Sequence, residues 1–453
     1  MSLPFAARSP SMLSTIFWLG SCCLSGCYYN EFSATPASAP VTVTATKTTP
    51  DAAESTSTTA ATAAAAQQST PTAVPALEVP SADAHNQLSP DEIEAGWIKL
   101  FDGHTLFGWQ PNSEAKWTVA NGEILIPDGP KGLLCTTTRF ANYDLRCDVW
   151  IEAESNSGIF LRTVLNPKNP AVDCYELNIC DNHPAGFTSG SLVARAKPTK
   201  TIATAGAWHT YEATVNGSSL TVKLDGELIA SYTDDTPSPL KTGFIGLQQN
   251  GGPARFRSIY LKPLGLEPLW NGKDLTGWRV VPGSAGTFAV EGDYLHVEGG
   301  RGFLETEKTA GDFVFQFTAR TLDKNLNGGI FFRAMEGTEK TPSHGYEYQI
   351  HNGIKNGDRN QPLDHGTGAI FRRVSARRVV ANDNEWLTGT LIADGPHFST
   401  WVNGIQMVDW TDDRAPNLNP REGQRLEPGH FSLQGHDPGT KFDYKSITLA
   451  PLP

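Results

Sequence analysis

Two short extended runs carry the residues best suited to chemistry. In Tyr346-Glu347-Tyr348-Gln349-Ile350-His351, alternate side chains of a strand share a face, so Glu347, Gln349 and His351 point together, opposite Tyr346, Tyr348 and Ile350. Tyr175-Glu176-Leu177-Asn178-Ile179-Cys180 repeats the pattern, with Glu176, Asn178 and Cys180 on the matching face. Arg333 closes Asn327-Gly328-Gly329-Ile330-Phe331-Phe332-Arg333 and Arg162 closes Asn156-Ser157-Gly158-Ile159-Phe160-Leu161-Arg162, and each arginine is expected beside the glutamate of its half. A carboxylate, an amide and a guanidinium on one face supply both acceptors and donors, which suits the hydroxyls of a sugar. A buried ion pair that fixes strand register is the structural alternative. Leu433-Gln434-Gly435-His436 adds an imidazole able to exchange a proton near neutral pH, whereas the corresponding Leu247-Gln248-Gln249-Asn250 ends on an amide that cannot. Proton transfer is therefore expected in the second half and binding alone in the first. His351 and His365 are further candidates for contact with a ligand.

The elements that position these residues are written twice. Both the Gly-Ile-Phe run and the Tyr-Glu run recur at an offset of 171 residues, and a shared offset across separate phrases marks a duplicated domain. Each half opens alike, on Leu100-Phe101-Asp102-Gly103 with Gly108-Trp109 and on Leu269-Trp270-Asn271-Gly272 with Gly277-Trp278. Alternation with period two recurs throughout, and Asp225-Gly226 and Asn403-Gly404 sit between alternating runs as hairpin turns. No run beyond the N-terminus holds an amphipathic helical period. An all-β chain of two tandem jelly-roll sandwiches is predicted, over 91–265 and 266–453. Trp109, Trp117, Trp278, Trp401 and Trp410 could stack on sugar rings, but a place in the core is favoured for most of them.

The N-terminus reads as an export signal over residues 1–27, with an apolar run from Met12 to Leu24 too short to span a bilayer. Leu24-Ser25-Gly26-Cys27 resembles the lipobox of bacterial lipoproteins, which makes Cys27 the expected site of lipidation and the cell envelope the expected location, on its periplasmic or outer-membrane face. Residues 28–90, rich in Ala, Thr, Ser and Pro, are expected to form a disordered tether. A formal net charge of -12 in 453 residues argues against a nucleic-acid partner. The local basic cluster Arg372-Arg373 with Arg377-Arg378 reads as a surface or pocket-rim feature. Cys135, Cys147, Cys174 and Cys180 all lie in the first half, where Cys135 with Cys147 is the favoured disulfide.

Taken together, the opening Gly-Trp phrases, the Gly-Ile-Phe-x-Arg and Tyr-Glu runs, the following Gly-Ser-Leu or Gly-Ala-Ile, the Asp/Asn-Gly hairpins and the late Leu-Gln phrase resemble the 3-keto-disaccharide hydrolase domain family. The resemblance spans nearly all of both halves. It implies concanavalin A-like sandwiches and a carbohydrate substrate oxidised at C3, such as a 3-keto-glucoside. A C3 carbonyl acidifies the C2 hydrogen, so a base can remove it, the C1 substituent can leave, and water can add to the enone. On that reading Glu347 or His436 serves as base and acid, and Arg333 and Gln434 steady the enolate. Gln349, His351, His365, Glu176, Arg162 and Asn178 remain as binding residues. A divalent cation held by Glu347 with His351 or His436 is an open alternative for polarising the ketone. A lectin-like or scaffold protein without catalysis is the main competing function. A classical endoglucanase fits less well, because each run carries a single carboxylate.

Overall fold

Strict alternation along Tyr143–Ile151 turns Tyr143, Leu145, Cys147, Val149 and Ile151 into the core and leaves Asp144, Arg146, Asp148 and Trp150 partly exposed. This strand lies near the middle of an eight-stranded antiparallel sheet in the computed structural model, which describes residues 85–453. Its order is Glu227–Thr233, Ser219–Leu224, Trp208–Asn216, Tyr143–Ile151, Ala254–Pro263, Glu123–Ile126 and Thr118–Ala120, with Ile98–Lys99 also paired to Ala254–Pro263. A five-stranded sheet packs on it in the order Trp109–Pro111, Gly132–Thr136, Phe244–Gly251, Asn156–Thr163 and Tyr175–Ile179. The second half repeats both sheets. Thr287–Glu291, Tyr294–Glu298, Lys441–Pro451, Phe313–Thr321, Leu387–Asp394, His397–Val402 and Ile405–Thr411 form its large sheet, joined by Glu267–Pro268. Trp278–Val280, Gly302–Ala310, Gly429–Gly435, Gly328–Met335 and His344–Ile350 form the small one. Two tandem concanavalin A-like jelly-roll sandwiches result. The two helices described, Pro90–Glu94 and Pro170–Asp173, are single turns.

The small sheets differ from the large ones in a way that matters for function. Tyr175–Ile179 is buried throughout, as are all but the first residue of His344–Ile350. Their inner faces feed the core, while the polar residues on their outer faces are covered by loops. A polar residue buried on such a face must find a partner or a ligand.

Two sequence expectations are corrected. The tether does not run to residue 90: Asn86 donates to Gly122 O at 2.8 Å and accepts from Ser258 N at 2.9 Å, and Ser89 caps the Pro90–Glu94 turn. The export signal, Cys27 and the rest of the tether lie outside the described residues. Nor does a disulfide join Cys135 to Cys147. The chain crosses from the small sheet to the large one between them, so Cys135 faces the outer cluster of Leu133 and Phe160 while Cys147 faces the core.

Candidate functional site

The second copy assembles a polar hollow on the outer face of its small sheet. Glu347 comes from the edge strand His344–Ile350, whose Tyr346, Tyr348 and Ile350 enter the core as alternation requires. Gln434 comes from Gly429–Gly435, two strands away, and Gly328–Met335 runs between them. The intervening strand places Gly329 where a side chain would fill the space. A Cβ there would stand 2.9 Å from Glu347 Cγ and Oε1 and 3.0 Å from the Tyr348 carbonyl. Glycine at this position is what leaves the carboxylate room.

Two loops complete the walls. Residues 367–371 run along the Glu347 strand, with Phe371 N donating to Glu347 O at 2.9 Å and Gln349 N donating to Ala369 O at 3.0 Å. This pairing brings Phe371 and Arg372 over the carboxylate, and Arg372 is held at φ 59°. The second loop is pinned where Tyr346 OH donates to Asp412 Oδ2 at 2.7 Å and Arg414 bonds Asp412, Pro420 O and Gly423 O. It delivers Arg421, whose Nη2 lies 3.9 Å from Glu347 Oε2 and whose guanidinium covers the Phe331 ring at 5.3 Å. A cavity of about 270 Å³ is lined by Glu347, Gln434 and His436 together with Arg301, Asn327, Ser343, Phe371, Arg372 and Arg421. A second cavity of about 220 Å³ shares Glu347, Phe371, Arg372 and Arg421 and adds Tyr346, Arg373 and Pro420.

The electrostatics mark Glu347 within this hollow. Burial pushes its pKa up to about 7, with Asp364 adding to the rise and Arg421 and Arg372 opposing it. Among the described residues its side chain accepts no hydrogen bond, so the oxygens are left for a ligand. Gln434 Oε1 is likewise buried without a partner. His436 is half exposed, and its Nδ1 bonds Asp437 Oδ2 at 2.8 Å, which leaves Nε2 as the nitrogen available to a ligand.

Other expected members are placed elsewhere. Arg333 does not reach Glu347. A backbone φ of 45° breaks the alternation, and its guanidinium instead covers the core ring of Phe398 at 5.2 Å and donates to Gly311 O, Gly395 O, Arg425 O and Asp312 Oδ1. Arg162, at φ 47°, makes the same turn and bonds Ala141 O, Gly217 O, Leu240 O and Asn142. These arginines clamp loops to a strand end. Gln349 shares the Glu347 face but spends its amide on Asn327 and Asp364. His351 Nδ1 accepts from Gly353 N at 3.0 Å, and His365 packs edge-on against Phe371 behind the wall. Asn178 is buried, and its amide donates to Phe187 O.

The first copy keeps the carboxylate and gives it a hydrogen-bond donor. Gln248 Nε2 donates to Glu176 Oε1 at 3.1 Å, Glu176 Oε2 is buried without a partner, and burial raises the Glu176 pKa to about 7. Ala194, at φ 60°, holds the place that Arg372 holds in the second copy. Arg301 and Arg421 escaped the sequence reading, since neither belongs to a repeated phrase. The signal for Arg421 was the widening of the offset from 178 at Asp225-Gly226 and Asn403-Gly404 to 186 at Leu247 and Leu433, which makes the intervening loop of the second copy longer.

The donors do not fit a divalent cation. Arg421 and Arg372 act on Glu347, and among the described residues no three His, Cys, Asp or Glu side chains are grouped to hold a metal ion.

Comparison with known proteins agrees with the duplication. A curated 3-keto-disaccharide hydrolase from Bacteroides thetaiotaomicron is 29% identical over 113 residues, which covers 20% of this chain and 39% of that protein's length. Among solved structures, one described as a glycosyl hydrolase from Parabacteroides distasonis matches at 22% identity over 40% of this chain and 99% of its own, with a TM-score of 0.36. The carbohydrate-binding module CBM66 from Bacillus subtilis matches at 14% identity over 34% and 95% of the two chains, with a TM-score of 0.29. The model of the 3-keto-alpha-glucoside-1,2-lyase-like domain matches residues 96–262 and again 265–450, and the chain belongs to that family.

Proposed function

We propose that the second sandwich cleaves 3-keto-glycosides by elimination and that the first does not. The observation that carries this reading is the convergence of Glu347, Gln434 and His436 on one cavity, with the Glu347 pKa at about 7. A base that ionises near the working pH combines a useful deprotonated fraction with real affinity for the proton it removes. Glu347 takes the C2 hydrogen of the ketone as a proton, and the electron pair left behind moves onto the C3 oxygen as an enolate. Arg421 and the Gln434 amide steady that oxygen, replacing the role first considered for Arg333. The enolate then expels the C1 substituent, and His436, oriented by Asp437, supplies its proton through Nε2. Water adding across the enone returns the free keto sugar.

The first copy has Asn250 where the second has His436 and Ala194 where it has Arg372, and Gln248 occupies its carboxylate. A supporting role fits it better than turnover. We also infer export and lipid attachment from Leu24-Ser25-Gly26-Cys27.

The test uses the full-length protein and a purified 3-keto-disaccharide. Glu347→Gln lowers kcat/KM by about 10²-fold or more. In the wild type, kcat/KM falls about tenfold per pH unit below an apparent pKa near 7, because only the ionised carboxylate accepts the proton. Undiminished turnover in Glu347→Gln refutes the assignment and returns the first copy to consideration.

A further inference from the structure

Elimination from a ketone calls for one cation at the enolate oxygen, yet the hollow holds several. Arg301, Arg372 and Arg421 line the larger cavity, and Arg373 joins Arg372 and Arg421 in the smaller one. Two of them make no direct contact with a carboxylate. Among the described residues neither Arg301 nor Arg372 forms an ion pair or a side-chain hydrogen bond, and the Arg372 guanidinium rests on the Phe371 ring at 5.2 Å. Arg373 spends a donor on Arg421 O at 2.6 Å. The carboxylates in reach do not balance this charge. Glu347 is about half protonated near pH 7, and Asp364 is held by the amides of Asn327 and Gln349. Burial lowers the Arg421 pKa, Glu347 opposes that, and the like charges of Arg372 and Arg301 add to it, so both cations repel Arg421 across the cavity. A chain of net charge -12 that concentrates cations here has built an anion site.

We propose that the glycoside bound in this hollow carries an anionic substituent, the carboxylate of a uronic acid or a sulfate ester, seated on Arg301 and Arg372 beside the reacting ring. The proposal rests on the reading of the hollow as a sugar site. Two adjoining cavities that share Glu347 suit a disaccharide laid across the carboxylate, with one unit in each. Planar guanidinium groups match the paired oxygens of either anion, and both arginines are exposed to an incoming ligand. The first copy gives the contrast: alanine replaces Arg372 at the same left-handed backbone position, so selection for the anion belongs to the second copy alone.

Binding tests this without turnover. Titration calorimetry on the full-length protein compares three unoxidised disaccharides alike but for one group: a neutral glucosyl unit, its glucuronate form, and its 6-sulfate. At least one acidic sugar is expected to bind tenfold or more tighter than the neutral one, with the advantage shrinking as salt is raised. Preference for the glucuronate or for the sulfate identifies which anion is the natural group. Arg372→Ala, a residue that this fold already accepts at Ala194, is expected to reduce the preference to within twofold, while Arg372→Lys retains part of it. Equal affinities in the wild type, no binding of any of the three, or a preference that survives in Arg372→Ala overturns the proposal. A retained preference in a protein that never cleaves 3-keto sugars would instead refute only the catalytic reading.

Discussion

Glu176 and Glu347 are the same residue under two different pressures. Both are buried with pKa values raised to about 7, but one is capped by Gln248 and the other faces a cavity. A carboxylate with a folded pKa above its unfolded value of 4.5 contributes no penalty below pH 4.5. The penalty grows as pH rises and is complete above about pH 7. A rise of this size corresponds to about 3 kcal/mol of lost stability in the ionised form. Glu176→Gln is isosteric and never ionises, so its melting temperature is expected to exceed that of the wild type at pH 8, with the gap closing at pH 5. Parallel melting curves across that range would show that the Glu176 site carries no such cost. The second copy retains the same kind of cost at Glu347, and on the proposed mechanism the raised pKa suits a base.

At the scale of elements, the small sheet owes its site to two departures from regular strand geometry. Gly329 removes the side chain that would stand between Glu347 and Gln434, and the left-handed residues Arg333 and Arg372 redirect their side chains. Arg333 illustrates how far one dihedral can move a function. Regular alternation would have set it beside Glu347, but φ 45° sends it inward to satisfy three carbonyls and Asp312. Those carbonyls belong to separate loops, so the residue acts as a tie between elements. Arg333→Met is expected to destabilise the second sandwich by about 3 kcal/mol or more, as buried acceptors lose their donors. Arg333→Lys should recover only part, because one ammonium cannot span four acceptors. A loss under about 1 kcal/mol in urea melts would contradict the tie.

Over the whole molecule, the two sandwiches form one packed unit. The interface buries Trp401, Val314, Ile392 and Ala450 of the second copy with the core of the first. Trp401 Nε1 donates to Lys99 O at 3.0 Å, Lys99 N donates to Gly404 O at 2.7 Å, and Thr138 and Ser399 share a hydrogen bond of 2.6 Å. Arg139 pairs with Asp394, and Arg377 pairs with Asp102 at 3.1 Å. The first copy thus covers a face of the second copy's large sheet that would otherwise expose a tryptophan. The N-terminal segment adds a separate prediction. If Cys27 carries the lipid, Cys27→Ser moves the protein from the membrane fraction to the soluble fraction and abolishes labelling by a fatty-acid analogue. Unchanged labelling in the variant would disprove the anchor.

The amino-acid sequence by itself determined the duplication, the β-sandwich class and the shared face of Glu347 and Gln349, because a period of two and a constant offset are local properties of the chain. It also separated the copies at His436 and Asn250. Tertiary structure decided the rest. Arg301, Arg372 and Arg421 come from three distant segments to line one cavity with Glu347, and no local pattern encodes which loops will meet over a strand. Arg333 left the site through a single positive φ, and Cys135 and Cys147 parted because the chain changes sheets between them. Trp401 turned from a possible sugar platform into an interface anchor, since the face it occupies becomes buried only when two folded copies pack together.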